Sequence, residues 1–383
     1  MPPSNSSTDL PETVLQFGAG RFLRAFVDRF VQNANDEGQG VGRVVVVQST
    51  SGPRAELLNA QPEGYHVLVR GYAEGERVDR LEPVRSISRA LVAQNQWSEV
   101  LAAARSKELR WIVTNATEAG YAVDAADRAD LAPPNSMPRS MPAKLTQVLW
   151  ERFRAGGAPP VILPCELIEG NAGKLCQIVC SLARGWSLPE EFTGWVALNC
   201  QWLNNLVDCI VTPGPADHPL ANSDKLLVSA EPYMLWAIQR PEKCEPTLFR
   251  HPAIRVVDDL APFYLRKVRI LNGLHSAMAA RFGPRGLETV LQVLSDREAV
   301  TWLRALLYEE IIPTIAYRVD DAAMFADQTL DRFRNPFLNH KLSDILMNHE
   351  AKLQVRLRPT RDEYVKLFGR APKKLDEVLN VTH

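Results

Sequence analysis

The run at residues 13–17 (TVLQF) ends in Gly18-Ala19-Gly20 and passes directly into RFLRAFVDRFV at 21–31. The apolar positions 22, 23, 26, 27, 30 and 31 repeat at helical spacing, so the segment reads as strand, glycine turn, helix. The following 170 or so residues keep up that alternation. Four consecutive valines at 44–47 are apolar on both faces, as strands of a helix-covered parallel sheet are. Short strands are expected at 66–69 (HVLV), 109–113 (LRWIV) and 160–164 (PVILP), and helices at 88–103 and 144–153. Such alternation predicts an α/β doubly wound sheet.

Beyond Pro213-Gly214-Pro215 the texture changes. The stretches 233–239, 262–281, 287–294, 299–315, 321–332 and 336–349 read as helices. The expected organisation is therefore an α/β domain over 1–220 and a mostly α-helical domain over 221–383.

Composition narrows the function classes. The 383 residues carry 44 Lys+Arg against 45 Asp+Glu, a net charge of −1. A nucleic-acid binder needs a basic excess, so none is expected as partner. No apolar run reaches the ~20 residues that span a bilayer, and the N-terminus lacks a basic and then apolar leader. Cys165, Cys176, Cys180, Cys200, Cys209 and Cys244 are sparse and irregular, with no CxxC. Reduced thiols in a cytoplasmic protein are expected, with no metal site.

The Gly18-Ala19-Gly20 turn is the first candidate site. In a dinucleotide fold the first glycine makes the tight turn, and the second lets the backbone approach a pyrophosphate at the helix N-terminus. The third glycine of the usual fingerprint is replaced by Leu23. Arg21 and Arg24 stand ready for phosphates. The second strand ends in Gln48-Ser49-Thr50, without the acid that holds a ribose 2′-hydroxyl, and Arg54 follows a few residues on. That leaves NAD and NADP both open.

The second candidate is KVRILNGLH at 267–275. At ~100° per residue, His275 lies about 80° and Asn272 about 140° around an α-helix from Lys267. The three polar side chains then share one broad face. Spacing alone equally suits a snorkelling lysine, a surface asparagine and a core histidine. The chemical alternative is a lysine general base, its pKa lowered by Arg266, Arg269 and partial burial, with Asn272 facing a developing oxyanion.

FGAGRFLRAF, TNATEAGY (114–121), PCELIEGNA (164–172), AEPYMLW (230–236), KVRILNGLH, YEEIIPTI (308–315) and RFRNPFLNHKLSDI (332–345) occur in the chain. Together they strongly resemble the mannitol dehydrogenase family of long-chain polyol dehydrogenases, and within it the tagaturonate reductase branch. The resemblance runs from residue 13 to about 368. It implies a Rossmann-like dinucleotide-binding domain, a helical substrate domain and metal-independent hydride transfer. By this resemblance Lys267 is the general acid/base, Asn272 the oxyanion donor and His275 the residue orienting substrate and lysine. Gly18, Gly20, Arg21, Phe22, Gln48 and Glu118 are expected at the cofactor, and Asp208 and Arg332 at the substrate. Arg332 would pair with a sugar carboxylate.

Two positions depart from the family pattern. The arginine of its VDRI-type signature is Cys209 here, and the second oxyanion asparagine of the polyol members is Leu167, as is usual in the uronate branch. The expected activity is reduction of a keto-uronate, tagaturonate, to altronate, with NAD favoured over NADP because Gln48 is neutral. Fructuronate, mannitol or a hexitol phosphate are the substrate alternatives. A non-catalytic dinucleotide-binding protein is the alternative of another class.

Overall fold

The structure, a computed structural model, describes residues 10–73, 76–116, 118–127, 136–241, 248–338 and 340–379. It divides into two compact units. The first comprises Met1–Leu68, Leu81–Val228 and Met234–Leu260; the second comprises Val69–Arg80, Ser229–Tyr233 and Ala261–His383. The break expected after residue 220 thus falls inside the first unit.

The first unit is built on six parallel strands: β1 (Glu12–Phe17), β2 (Arg43–Gln48), β3 (Ile87–Val92), β4 (Trp111–Thr114), β5 (Val161–Pro164) and β6 (Gln201–Trp202). Their order is β3-β2-β1-β4-β5-β6. This is the 3-2-1-4-5-6 order of the doubly wound dinucleotide fold, whose ligand crevice opens at the strand C-termini where the order reverses. Here that is between β1 and β4. The valines of β2 are buried, as their two-faced apolar run requires. Val45 and Val47 join Leu15, Trp97, Leu149 and Ile162 in one core.

After β1 the chain enters α1 (Arg21–Ala25) and α2 (Val27–Asp36), separated by a break at Phe26 with φ −122° and ψ −81°. The helical stripe of the sequence is preserved across the break. Phe22 stacks on Phe26 at 5.0 Å and Phe26 meets Phe30 edge-on at 4.8 Å.

Three expected elements differ. Residues 88–103 are strand β3 followed by helix Ala93–Arg105, not one helix. Ser88 and Arg89 hid the strand: at the sheet edge both bind Glu12, Arg89 through two hydrogen bonds of 2.8 and 2.9 Å. Residues 235–239 form a strand between Asn205–Asp208 and Ile254–Val257. A short run buried on all sides carries no periodicity to separate strand from helix. The expected strand at 66–69 is part of Tyr65–Ala73, which lies outside the parallel sheet.

The second unit is mostly helical. Its main helical run, 261–282, is α-helical at Ala261–Leu265 and Gly273–Phe282 and π-helical at Arg266–Asn272. A second π-segment, Leu306–Ile311, precedes Pro313. Proline lacks the N–H and crowds the carbonyl four residues back, and a widened turn relieves both. The helix expected over 336–349 is instead two, Leu342–Leu346 and His349–Arg356, interrupted by Asn348 in the left-handed region at φ 56°. Among the described residues no helix is long and apolar enough to cross a membrane. No cluster of His, Cys, Asp or Glu among them suits a metal ion.

Candidate active site

In the first unit, Gly18 sits at the end of β1 with φ +132°, a conformation that side chains rarely adopt. Its N–H donates to Val47 O at 3.0 Å. A Cβ at Gly18 would press on Leu23 Cδ1 at 3.0 Å, so the residue that replaces the third fingerprint glycine packs into this turn. Gly20 caps α1 without a side-chain hydrogen bond, and a Cβ there would meet no protein atom within 4 Å. The backbone over the helix start is thus open to a close-approaching group. Arg21 is the first residue of α1, and Phe22 is engaged in the aromatic stack.

Two expectations here are corrected. Arg24 is buried, donates to the Leu226 carbonyl oxygen and lies over the Tyr65 ring, so it does not reach for phosphate. Gln48 is committed to its own loop. Its Nε2 donates to Thr50 O at 2.9 Å and Gly52 O at 2.6 Å, while Oε1 accepts from Ala55 N at 2.7 Å. It shapes the segment after β2 rather than facing a ribose. The side chain of Glu118 lies outside the described residues.

At the ends of β4 and β5, Glu166 accepts from Thr114 Oγ1 (3.0 Å), Ala116 N (2.8 Å) and Tyr121 OH (3.4 Å), which braces the TNATEAGY loop. Burial pushes its carboxyl up from the usual range. Asn171 donates to three carbonyls, of Pro164, Glu166 and Asn205. It is a structural hub, not a replacement for the asparagine missing at Leu167. Asp208 ends the strand Asn205–Asp208 of the same unit and is buried.

In the second unit, Lys267, Asn272 and His275 lie on the 261–282 run, and the π-segment changes their relation. The Gly273 N–H donates to Val268 O, five residues back. Such i→i+5 bonding widens the turn by about one residue. Residues five apart, as Lys267 and Asn272 are, lie closer around the axis of such a widened turn than the about 140° of α geometry. Asn272 and His275 are buried, and Lys267 is half-buried.

Two of these polar groups lack partners. Asn272 Nδ2 and His275 Nε2 are buried and make no hydrogen bond. Leaving such groups unsatisfied costs roughly 1–3 kcal/mol each, a cost that a ligand oxygen removes. The imidazole of His275 is held by rings: Phe333 at 4.2 Å, tilted by 31°, and His340 at 4.6 Å, edge-on. Burial first, then His340, Arg356, Arg332 and Lys352, drive its pKa well below the usual value. His275 is therefore neutral at physiological pH.

The arginines expected to act on Lys267 are themselves compensated. Arg266 pairs with Asp321, and Arg269 with Glu363 at 3.4 Å. Arg332 is likewise engaged: Nε donates to Glu231 Oε2 at 2.9 Å and Nη2 to Oε1 at 2.6 Å, with Tyr233 beneath the guanidinium at 4.2 Å. This pair lines a cavity of about 700 Å³ with Tyr72, Tyr233, Arg334 and Asn335. The expected bidentate capture of a substrate carboxylate by Arg332 is corrected to that extent, because its Nε/Nη2 edge already holds one. The residues that sequence reasoning missed are Glu231, Phe333 and His340. Glu231 stands in the AEPY segment, but nothing in the sequence announces a partner 101 residues away.

A doubly wound sheet with a glycine turn at its switch point, and a helical unit presenting lysine, asparagine and histidine from one helix, define a two-domain dehydrogenase. The Rossmann domain of mannitol dehydrogenase matches residues 12–248, and the C-terminal domain of mannitol dehydrogenase matches 259–367. The chain belongs to the mannitol dehydrogenase family and is an oxidoreductase acting on CH–OH groups. It is 38% identical to an altronate oxidoreductase of Halalkalibacterium halodurans, over 96% of this chain and 74% of that protein. With an altronate oxidoreductase of Bacillus subtilis it shares 35% identity, over 96% and 78%. Among solved structures it resembles Pseudomonas fluorescens mannitol 2-dehydrogenase in ternary complex with NAD and D-mannitol. That likeness has a TM-score of 0.84 at 20% identity and covers 98% of this chain and 79% of the other.

The buried imidazole also sets a pH dependence of stability. The folded state refuses a proton that His275 accepts, once unfolded, near the ordinary imidazole value of 6.5. Stability from this group is complete above that pH and falls as pH drops below it, by at most about 1.4 kcal/mol per pH unit. Urea unfolding at pH 8, 6.5 and 5.5 should show a shallower acid loss in His275→Phe than in the unaltered chain. Equal slopes contradict the neutral, buried assignment.

Proposed function

We propose that this chain reduces a keto-uronate, tagaturonate, to altronate, reversibly and with NAD(H). The observation that carries the reading is the pair of buried, unpartnered groups, Asn272 Nδ2 and His275 Nε2, on the π-turned helical run that also carries Lys267. Kinship to altronate oxidoreductases at 35–38% identity supports the substrate class. The open backbone at Gly20 and the strained Gly18 turn fit a dinucleotide pyrophosphate. When bound, the nicotinamide supplies the hydride acceptor or donor for the substrate carbon.

The chain's own residues supply the rest. Lys267 Nζ gives a proton to the carbonyl oxygen during reduction and takes it back during oxidation. Asn272 Nδ2 donates to the same oxygen as its negative charge grows, and does so from a site already shielded from water. His275, kept neutral, orients the substrate without adding a second positive charge beside Lys267.

A screen of NADH and NADPH against tagaturonate, fructuronate, fructose and hexitol phosphates tests the reading. Highest kcat/KM for tagaturonate with NADH is the expected outcome. Preference for a neutral hexose overturns the substrate, and NADH binding without turnover of any of them overturns catalysis. Gly20→Val should raise the NADH dissociation constant by at least tenfold with the fold intact, because its Cβ and methyls fill the phosphate approach. Unchanged affinity in fluorescence titration would remove the turn from the cofactor site.

A further inference from the structure

Asp28, near the start of α2, is fully buried, and so is Gln16 on β1. Gln16 Nε2 spends its two hydrogens on Gly18 O at 3.2 Å and Asp28 Oδ2 at 3.4 Å. Tyr65 OH lies 2.7 Å from Arg24 O and 3.3 Å from Asp28 Oδ2, and the shorter contact takes its single hydrogen. Arg24, four residues back, turns Nη1 to Leu226 O, and its Nε has no partner. An ionised Asp28 would therefore rest on one long hydrogen bond, far too little for a carboxylate removed from water.

Two atoms are left over, Asp28 Oδ1 and Gln16 Oε1, both buried acceptors without a donor. The contact from Nε2 to Oδ2 joins the same two groups along their other edge. A proton on Oδ1 satisfies both leftover oxygens at once, whereas two bare oxygens repel each other. Burial pushes the Asp28 carboxyl up to about 7, against the pull of Gln16, Tyr65 and Arg24. Tyr65 keeps its own proton, because burial and Asp28 drive its pKa well up. Asp224 and Arg54 bear on Arg24 from beyond it, and Asp224 is occupied by His66 N at 2.7 Å and Gln61 Nε2 at 2.9 Å.

We propose that Asp28 stays protonated and donates from Oδ1 to Gln16 Oε1, closing an acid–amide pair that makes it a positioning residue for the cofactor turn. The pair fixes the Gln16 amide, and that amide holds the carbonyl of Gly18, whose N–H is held by Val47 O. This rests on the reading of the Gly18–Gly20 turn as the approach of the dinucleotide pyrophosphate.

The test compares the unaltered full chain with Asp28→Asn and Asp28→Ala at pH 5.5, 7 and 8.5, by urea unfolding and NADH fluorescence titration. Asparagine supplies the donor and acceptor of the protonated acid and does not titrate. Below about 7 the folded state holds a proton that an unfolded aspartate, near 3.8, has released. The urea midpoint of the unaltered chain should therefore fall relative to Asp28→Asn between pH 5.5 and 7, then level off. NADH affinity of the two should match at pH 5.5. At pH 8.5 the unaltered chain should bind roughly three- to tenfold more weakly than Asp28→Asn, the weight of one hydrogen bond in the turn. Asp28→Ala should bind weakly at every pH. A difference in midpoint that does not change with pH would overturn the protonated pair and leave an ionised Asp28. Asp28→Asn binding NADH no better than Asp28→Ala would overturn the positioning role. Affinity indifferent to Asp28 but weakened by Gly20→Val overturns that role and leaves the turn reading standing. Affinity indifferent to both removes the turn from the cofactor, and this inference falls with it.

Discussion

Lys267→Ala should lower kcat by about 10²-fold or more while leaving NADH affinity unchanged, the scale of lost general acid/base help. The lysine is half-buried on the π-turn that ends at an asparagine whose amide nitrogen has no partner. The widened turn brings positions five apart closer around the axis than an α-turn does, which favours a proton donor and an oxyanion donor serving one carbonyl oxygen. The arginines flanking Lys267 are each held by a carboxylate, so repulsion from neighbouring charge is not what prepares it. Placement is. In the oxidative direction the rate should climb with pH as the base loses its proton, and the alanine variant should lose that limb. Near-normal turnover in Lys267→Ala would return this helix to ordinary packing.

The parts legible in sequence are those written in local periodicity. The valine run of β2 and the stripe at 22–31 each signal burial by pattern alone, and the valines are buried, as are Leu23, Phe26, Val27, Phe30 and Val31 of the stripe. β3 was hidden because an edge strand spends its polar residues on Glu12, and that partner is 77 residues away. The strand at 235–239 was hidden because burial on all sides erases periodicity. The π-turn is a subtler case. Val268, Ile270 and Leu271 are buried as they would be in an α-helix, so the letters read the same. Only the hydrogen-bond ladder separates the two geometries, and it narrows the angle between the candidates within their shared face. The motif places its polar residues on one run, while the assumed α-helix misjudges the angle between them.

The second large effect concerns Glu231 and Arg332. Their side chains are 2% and 9% exposed, so the pair has left nearly all of its hydration behind. The two parallel hydrogen bonds and the Tyr233 face offset that loss only while both partners stand. Glu231→Ala leaves a buried guanidinium without its carboxylate and should cost about 3–5 kcal/mol, the range for breaking a buried ion pair from one side. The double replacement Glu231→Ala with Arg332→Met removes both charges together. Its destabilisation should be smaller than the sum of the two single losses, because neither charge is stranded. Urea unfolding of the four proteins measures this coupling. Simple additivity would mean that the bridge is solvated in solution, and that the Nε/Nη2 edge of Arg332 is open to a substrate carboxylate after all. A coupling of several kcal/mol would confirm that this edge serves the architecture of the cavity wall and leaves acid recognition to another residue.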